Sequence, residues 1–283
     1  MKAKIVNLKL TIKLLTILFI AGGAFPLDQS IAFSETVTWE QQAERLQHVS
    51  ATLFDNLPMG EFSQTESKVG IKSVVSMLPK VNPTVGSKSE KVPSSPVHAV
   101  PTFQVELFPW SWGVLRPGAR FWGGLLPKGS EKLVGLKIEV QQRSFGGSLM
   151  LRCVTSFGEP SLELGMQKSD LTAKGAITSL DAEDDFVVNS TMLFSSVSIG
   201  RLPFAFWMSG LVANRQVVSQ FSIPFDQTSI SLTDNDSKLT YQVSIGREFA
   251  NWLNLGVGHS IVPERVAMTR FFLAANYKLS SMK

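Results

Sequence analysis

The chain has 283 residues, 44% of them hydrophobic and 18% charged, with a formal charge of +4 and one cysteine. A single cysteine excludes an intramolecular disulfide and a cysteine-based metal cluster. The basic balance does not support nucleic-acid binding either: residues 1–24 hold four lysines and no acid, so the chain that follows them carries zero net charge.

At the N-terminus, Lys2, Lys4, Lys9 and Lys13 precede LLTILFIAGGAF (14–25). The apolar run is too short to span a bilayer as a helix and has the form of an export signal. Gly22 and Ala24 offer a small-x-small cleavage site, with Ser30 and Ala32 as a second. The reading is a signal peptide over 1–24, with an uncleaved anchor as the alternative. Beyond it no apolar run reaches 18 residues; the longest approach is LPFAFWMSGLVA (202–213), 12 residues between Arg201 and Asn214. A membrane-spanning form of this chain therefore has to be a closed barrel of strands.

Residues 36–57, TVTWEQQAERLQHVSATLFDNL, have helical spacing. Thr38 and Gln41 resemble a capping box, Trp39, Ala43, Leu46, Leu53 and Leu57 fall on one stripe, and Pro58 marks the stop. From 79 to 101 prolines, serines and lysines predominate, the composition of an extended linker. Residues 25–101 thus read as a periplasmic helix and linker, ahead of a β-domain over 102–283.

After the linker the period changes to two. LKIEVQQR (136–143) sets Leu136, Ile138 and Val140 against Lys137, Glu139 and Gln141; SLELGMQK (161–168) and LTYQVSIGR (239–247) alternate in the same way. Turn signals follow at FGG (145–147), GEP (158–160), DAEDD (181–185) and DNDS (234–237). VSIGRLPFAFWMSGLV from Val197 and VSIGREFANWLNLGVG from Val243 repeat one pattern, a strand, an aromatic turn and a returning strand that opens on Trp207 or Trp252. Indole at such a turn suits the headgroup depth of a bilayer. The count is about twelve strands, with ten as the alternative. RFFLAANYKL (270–279) closes the series: Phe271, Leu273, Ala275, Tyr277 and Leu279 on one face, Arg270, Phe272, Ala274, Asn276 and Lys278 on the other. Cys153 shares the phase of Leu149 and Leu151 and reads as a small apolar filler.

The signal segment, the alternating strands and the closing strand resemble the outer-membrane β-barrel proteins of Gram-negative bacteria over roughly residues 102–283. The resemblance implies an antiparallel transmembrane β-barrel in the outer membrane, in contact with its lipids. It also implies a last strand read by the barrel-insertion machinery, matched here by Tyr277 and Leu279. The chain departs from the pattern in its tail, SSMK (280–283), and at Ala274, where glycine is common. An even strand number puts both chain ends on the periplasmic side. The two VSIGR hairpins then turn there, and DAEDD, DNDS and VPE (262–264) face outward.

Within such a barrel the apolar set meets lipid. Lys137, Glu139, Gln141, Arg143, Arg152, Glu163, Gln167, Gln220, Gln242, Arg270, Asn276 and Lys278 are then expected in the lumen, because a basic side chain on the lipid face at mid-depth costs about 2–4 kcal/mol. Trp207, Trp252, Phe249 and Tyr277 are expected at the membrane interface. A soluble β-sandwich whose polar faces meet water has the same alternation.

Catalytic chemistry finds little to work with. His48, His98 and His259 are the three histidines, and only His259, in GVGHS (256–260), lies on a strand. His259 and Ser260 are adjacent, so a strand sends them to opposite faces, whereas a nucleophile and its base must be within hydrogen-bond reach. The acidic cluster DAEDD lacks the spacing of a calcium loop. No cofactor or metal is expected. The functional expectation is a small passive channel or a structural envelope component. A soluble periplasmic binding protein and an outer-membrane lipid hydrolase using His259 are the alternatives.

Overall fold

The computed structural model describes residues 47, 51–52, 55, 67–77, 84–85, 88–89, 96–98, 101–133, 136–156, 158–175, 184–225, 228–249, 252–263 and 266–279. The signal segment expected over 1–24 and the apolar stripe expected on 36–57 lie outside them. Ten antiparallel strands follow in chain order: β1 (Lys68–Met77), β2 (Thr102–Leu107), β3 (Leu115–Leu133), β4 (Leu136–Cys153), β5 (Glu159–Gly175), β6 (Asp184–Leu202), β7 (Phe206–Phe225), β8 (Thr228–Phe249), β9 (Leu253–Val262) and β10 (Val266–Lys278). Each pairs with its neighbour in sequence, and β1 also pairs with β10, from Lys68↔Lys278 to Met77↔Thr269. The sheet is therefore a closed cylinder with no free edge, which removes the sandwich alternative. A short piece, Pro96–His98, continues the pairing with β1 beyond the end of β2.

Both ends of the wall lie at one rim, called here the near rim. The connections 108–114, 154–158 and 203–205 turn at this rim, as does the one between Phe249 and Leu253, so the turns that follow both VSIGR segments share it. In the 154–158 turn, Thr155 donates both its N–H and its Oγ1 hydroxyl to the Gly158 carbonyl. Gly158 takes φ +148° there, a backbone that L side chains rarely adopt.

The wall is uneven. β3 to β8 run 17–22 residues, whereas β1, β2, β9 and β10 run 6–13. A membrane crossing needs about 9–11 residues, so the tall strands continue well past one. Their chemistry changes where they do. On β5 the outward side chains are Leu162, Leu164 and Met166, then Lys168, Thr172 and Lys174; inward stand Ser161, Glu163 and Gln167, then Leu171 and Ala173. On β4 the outward run from the near rim is Leu151, Leu149 and Phe145, then Arg143 and Gln141. On these two strands the near half is thus apolar outside and mainly polar inside, and the far half is reversed. Such a switch is what two different surroundings along one wall, an apolar one outside the near half and water outside the far half, would select.

This inversion corrects several sequence expectations. FGG (145–147) and DNDS (234–237) lie inside β4 and β8 and are not turns. Twelve candidates overcounted because 134–144 with 148–157, 161–168 with 173–180, 206–213 with 216–225, and 228–233 with 238–247 are four strands rather than eight. The wall also starts earlier than residue 102. KVGIKSVVSM (68–77) is its first strand, so the β-domain expected over 102–283 takes in these residues as well.

Aromatics and glycines fit together inside. Trp207 stacks near Phe272 with ring centroids 5.3 Å apart, beside Val74. Gly246, its cross-strand partner, leaves the space: a Cβ there would lie 2.2 Å from the indole. Gly146 does the same for Trp122, at 2.3 Å.

Candidate functional site: the filled lumen

The interior is organised in three levels. At the near rim, β1, β2, β3 and β5 bring charges together. Glu106 accepts from Arg120 Nε at 2.7 Å and lies 3.3 Å from Lys68 Nζ, and Arg120 reaches Glu163 at 3.4 Å. Ser148 Oγ also donates to Glu163, and the Arg152 guanidinium stacks 4.6 Å over the Phe108 ring. Period two alone sets these side chains inward, and their opposite signs compensate one another in a space cut off from bulk water.

At mid-height a second set converges on Asp55, which belongs not to the wall but to the N-terminal segment. Asp55 is 1% exposed. Its carboxylate pairs with Arg215 of β7 and accepts from Gln167 Nε2 of β5 at 3.1 Å, while Arg270 of β10 donates to its backbone carbonyl. Arg215 also donates to Thr52 Oγ1 at 2.9 Å. Gln167 in turn accepts from Trp122 Nε1 at 3.1 Å, tying Asp55 to an aromatic layer of Trp122, Met192, Phe194, Leu211 and Ala213.

Above this lies an apolar level. Ala51 packs with Leu171, Ala173, Phe186, Val188 and Val217, and Val140 adds to the cluster. Gln47 Nε2 donates to the Val217 carbonyl at 3.0 Å. The far-half strands face apolar side chains inward because this segment covers them. Gln47, Ala51, Thr52 and Asp55 are each at most 4% exposed, so these four residues lie inside the lumen from mid-height upward.

Among the expected lumen residues, Arg152, Glu163, Gln167, Gln242, Arg270 and Asn276 are buried inside the cylinder. Asn276 accepts from Gln104 Nε2 at 2.9 Å and Gln242 from Ser260 Oγ at 2.8 Å. Gln141, Arg143, Gln220 and Lys278 are exposed instead. Gln141 and Arg143 are on the outer face of the far half, where Arg143 pairs with Asp170 at 2.7 Å. The rule that apolar residues face out fails there because the inward side chains of this half are the apolar ones, Leu171, Ala173, Phe186 and Val188 among them. Glu139 is half-buried, and the side chain of Lys137 lies outside the described residues. Lumen residues that the alternation did not single out include Asp55, Lys68, Glu106, Arg120 and Arg215.

Of the interface aromatics, Tyr277 (74%), Trp252 (53%) and Phe249 (38%) are exposed at the near rim. Trp207 is not: at 1% exposure it points into the lumen, and its repeat partner Trp252 points out. The turn between β6 and β7 sets the difference. It holds Phe204 and Ala205 at positive φ and leaves Phe204 80% exposed, so Phe204, together with Phe206, is the outward aromatic of that hairpin. Trp110 and Trp112, in the 108–114 connection, are exposed at the same rim.

His259 and Ser260 diverge as strand geometry requires. Ser260 points inward to Gln242, while His259 sits on the outer face with Nδ1 3.3 Å from Thr269 Oγ1. It borders an open groove of about 520 Å³ lined by Met208, Tyr241, Val243, Ile245 and Val257. Among the described residues no group of three or more His, Cys, Asp or Glu side chains is gathered to hold a metal ion.

No protein-family model matches the chain, and no curated protein matches it in sequence. Solved structures do resemble it. The translocator domain of the autotransporter NalP from Neisseria meningitidis is 12% identical, with 84% of this chain and 95% of that one covered and a TM-score of 0.41. The outer membrane protease OmpT from Escherichia coli is 10% identical over 80% of this chain and all of that one, also at 0.41. The transport unit of the autotransporter AIDA-I from Escherichia coli is 10% identical over 84% and 98%, at 0.39. The likeness is one of fold, and the fold itself is plain from the strand pairing: a closed, ten-stranded, antiparallel barrel.

Proposed function

We propose that the protein is an integral barrel of a Gram-negative outer membrane, closed by its own N-terminal segment. It is then a structural component of the envelope and not an open passive channel. The observation that carries this is the buried ion pair of Asp55 with Arg215, inside a wall whose near half is apolar outside. Leu149, Phe103, Leu125 and Leu193, each more than 60% exposed, would be untenable in water as one continuous belt and are well placed against acyl chains. Porin-type barrels conduct because their lumen holds water; here that space is occupied by protein. Reconstituted into planar bilayers, the intact protein is expected to show no steady conductance steps. Stable, porin-like openings would reverse the reading in favour of a channel.

The closing strand supports a second element of the proposal, recognition by the barrel-insertion machinery. Phe271, Leu273, Tyr277 and Leu279 are exposed along one outward face of β10 and its end. Tyr277→Ala combined with Leu279→Ala is expected to slow the appearance of the heat-modifiable folded form in cells while leaving detergent refolding of the purified protein unchanged. Unaltered assembly kinetics in cells would count against recognition through these side chains.

A further inference from the structure

The contacts of the N-terminal segment give it a direction. Ala51 belongs to one buried apolar cluster with Leu171, Ala173, Phe186 and Val188, which come from the far halves of β5 and β6. Four residues later, Asp55 meets Gln167, Arg215 and Arg270 at mid-height. Ser67, immediately before β1, is at the near rim: its Oγ accepts from the Phe108 N–H at 3.0 Å and its carbonyl from the Leu279 N–H at 2.9 Å. Numbers rise as the chain goes down. The low side of the wall reinforces this order, since β9 and β10 end at Val262 and Val266 while the opposite side continues upward past Val217 to Phe225.

We infer that the chain enters the barrel through its far mouth, so that the residues ahead of Gln47 are held on the side opposite the near-rim turns. With the near rim in the periplasm, the barrel is an anchor that displays its own N-terminal segment at the cell surface. Two features fix the anchor. The carboxylate and carbonyl of Asp55 are held by cations from β7 and β10, and the Ala51 level wedges an apolar side chain among four strands. Moving the segment in either direction would strip Arg215 of its buried anion, so the threading is a fixed state of the folded barrel. This rests on the membrane reading above and goes beyond it: a closed barrel could equally have been plugged from the periplasmic side.

Single cysteines in a Cys153→Ser background test the threading with a membrane-impermeant maleimide applied to intact cells and to permeabilised ones. Pro263→Cys reports the far turn and Ser156→Cys a near turn, both exposed positions. Ser34→Cys reports the segment ahead of Gln47 and lies beyond both candidate cleavage sites. Ser34→Cys is expected to label in intact cells to the extent of Pro263→Cys, with Ser156→Cys labelling at least tenfold more after permeabilisation. Ser34→Cys behaving like Ser156→Cys overturns the threading and leaves the barrel in its membrane. Fractionation is read in parallel, and recovery of the protein in the soluble periplasm overturns the membrane reading and the display together.

Discussion

Replacing Asp55 with alanine is expected to unlock the lumen. The substitution leaves Arg215 and Arg270 buried, at 0% exposure each, without the carboxylate between them. Removing one partner of a buried pair in this way costs about 3–5 kcal/mol, more than the pair contributes relative to an apolar replacement, because the penalty is that of the stranded charge. Gln167 also loses its acceptor, and Trp122 is one hydrogen bond further along the same chain. Asp55→Ala should therefore lower the temperature at which the heat-modifiable band converts, and should introduce conductance that the intact protein lacks. Asp55→Asn keeps the shape and an acceptor oxygen, so it is expected to fall between the two. The decisive comparison adds Arg215→Met to Asp55→Ala: with anion and cation both removed, stability should recover in part while the lumen stays unlocked. A barrel that remains as stable and as silent in Asp55→Ala as in the parent would show that the segment is held by something other than this ion pair.

How much of this could be read from the chain follows from where water lies. The near half obeys one rule, apolar outward and polar inward, and there the alternation in SLELGMQK and RFFLAANYKL assigns faces directly: Leu162 and Leu164 out, Glu163 in, Phe271 out, Arg270 in. In the far half the same period carries the opposite meaning. Val140 is inward and Arg143 outward on one uninterrupted strand. Period two marks which residues share a face but never which face is wet. The inversion also supplied false turn signals, since small and polar residues gather where the two regimes meet. Phe145, Gly146 and Gly147 look like a loop, yet Gly146 is there to admit the Trp122 ring.

Asp55 was illegible for a different reason. Its partners lie 112, 160 and 215 positions away in sequence, on strands whose closure had first to be known. The helical stripe expected over 36–57 lies outside the described residues, but Ala51 of the same segment, off that stripe, joins the far-half apolar interior of Leu171, Ala173, Phe186 and Val188. Neither half of this fit is informative alone. β1 was hidden by its neighbourhood: KVGIKSVVSM alternates Val69, Ile71 and Val75 outward against Lys68, Lys72 and Ser76 inward, but its lysines and serines blend with those of the segment after it.

The height of the proposed membrane belt is the second quantity with a large measurable consequence. Leu164 and Thr172 point outward from the same strand, β5, and both are exposed. Eight residues separate them, which is roughly 26 Å along a strand, or about 20 Å along the barrel axis at the usual tilt. A lipid-facing belt is about 25 Å tall, so if Leu164 lies near its middle, Thr172 has passed its edge. Arginine at mid-depth costs about 2–4 kcal/mol, and about 0–1 kcal/mol at the interface or beyond. Leu164→Arg is therefore expected to lose 2–4 kcal/mol of folding free energy into lipid vesicles, and Thr172→Arg less than 1 kcal/mol, by the same scale. The pair is informative because both substitutions add the same side chain to the same face of one strand, so differences in strand propensity and expression cancel. Equal penalties would mean that the change from Leu162, Leu164 and Met166 to Lys168, Thr172 and Lys174 is not a lipid boundary. The apolar belt would then need another solvent, and the far half would lose its reason for turning its apolar side chains inward.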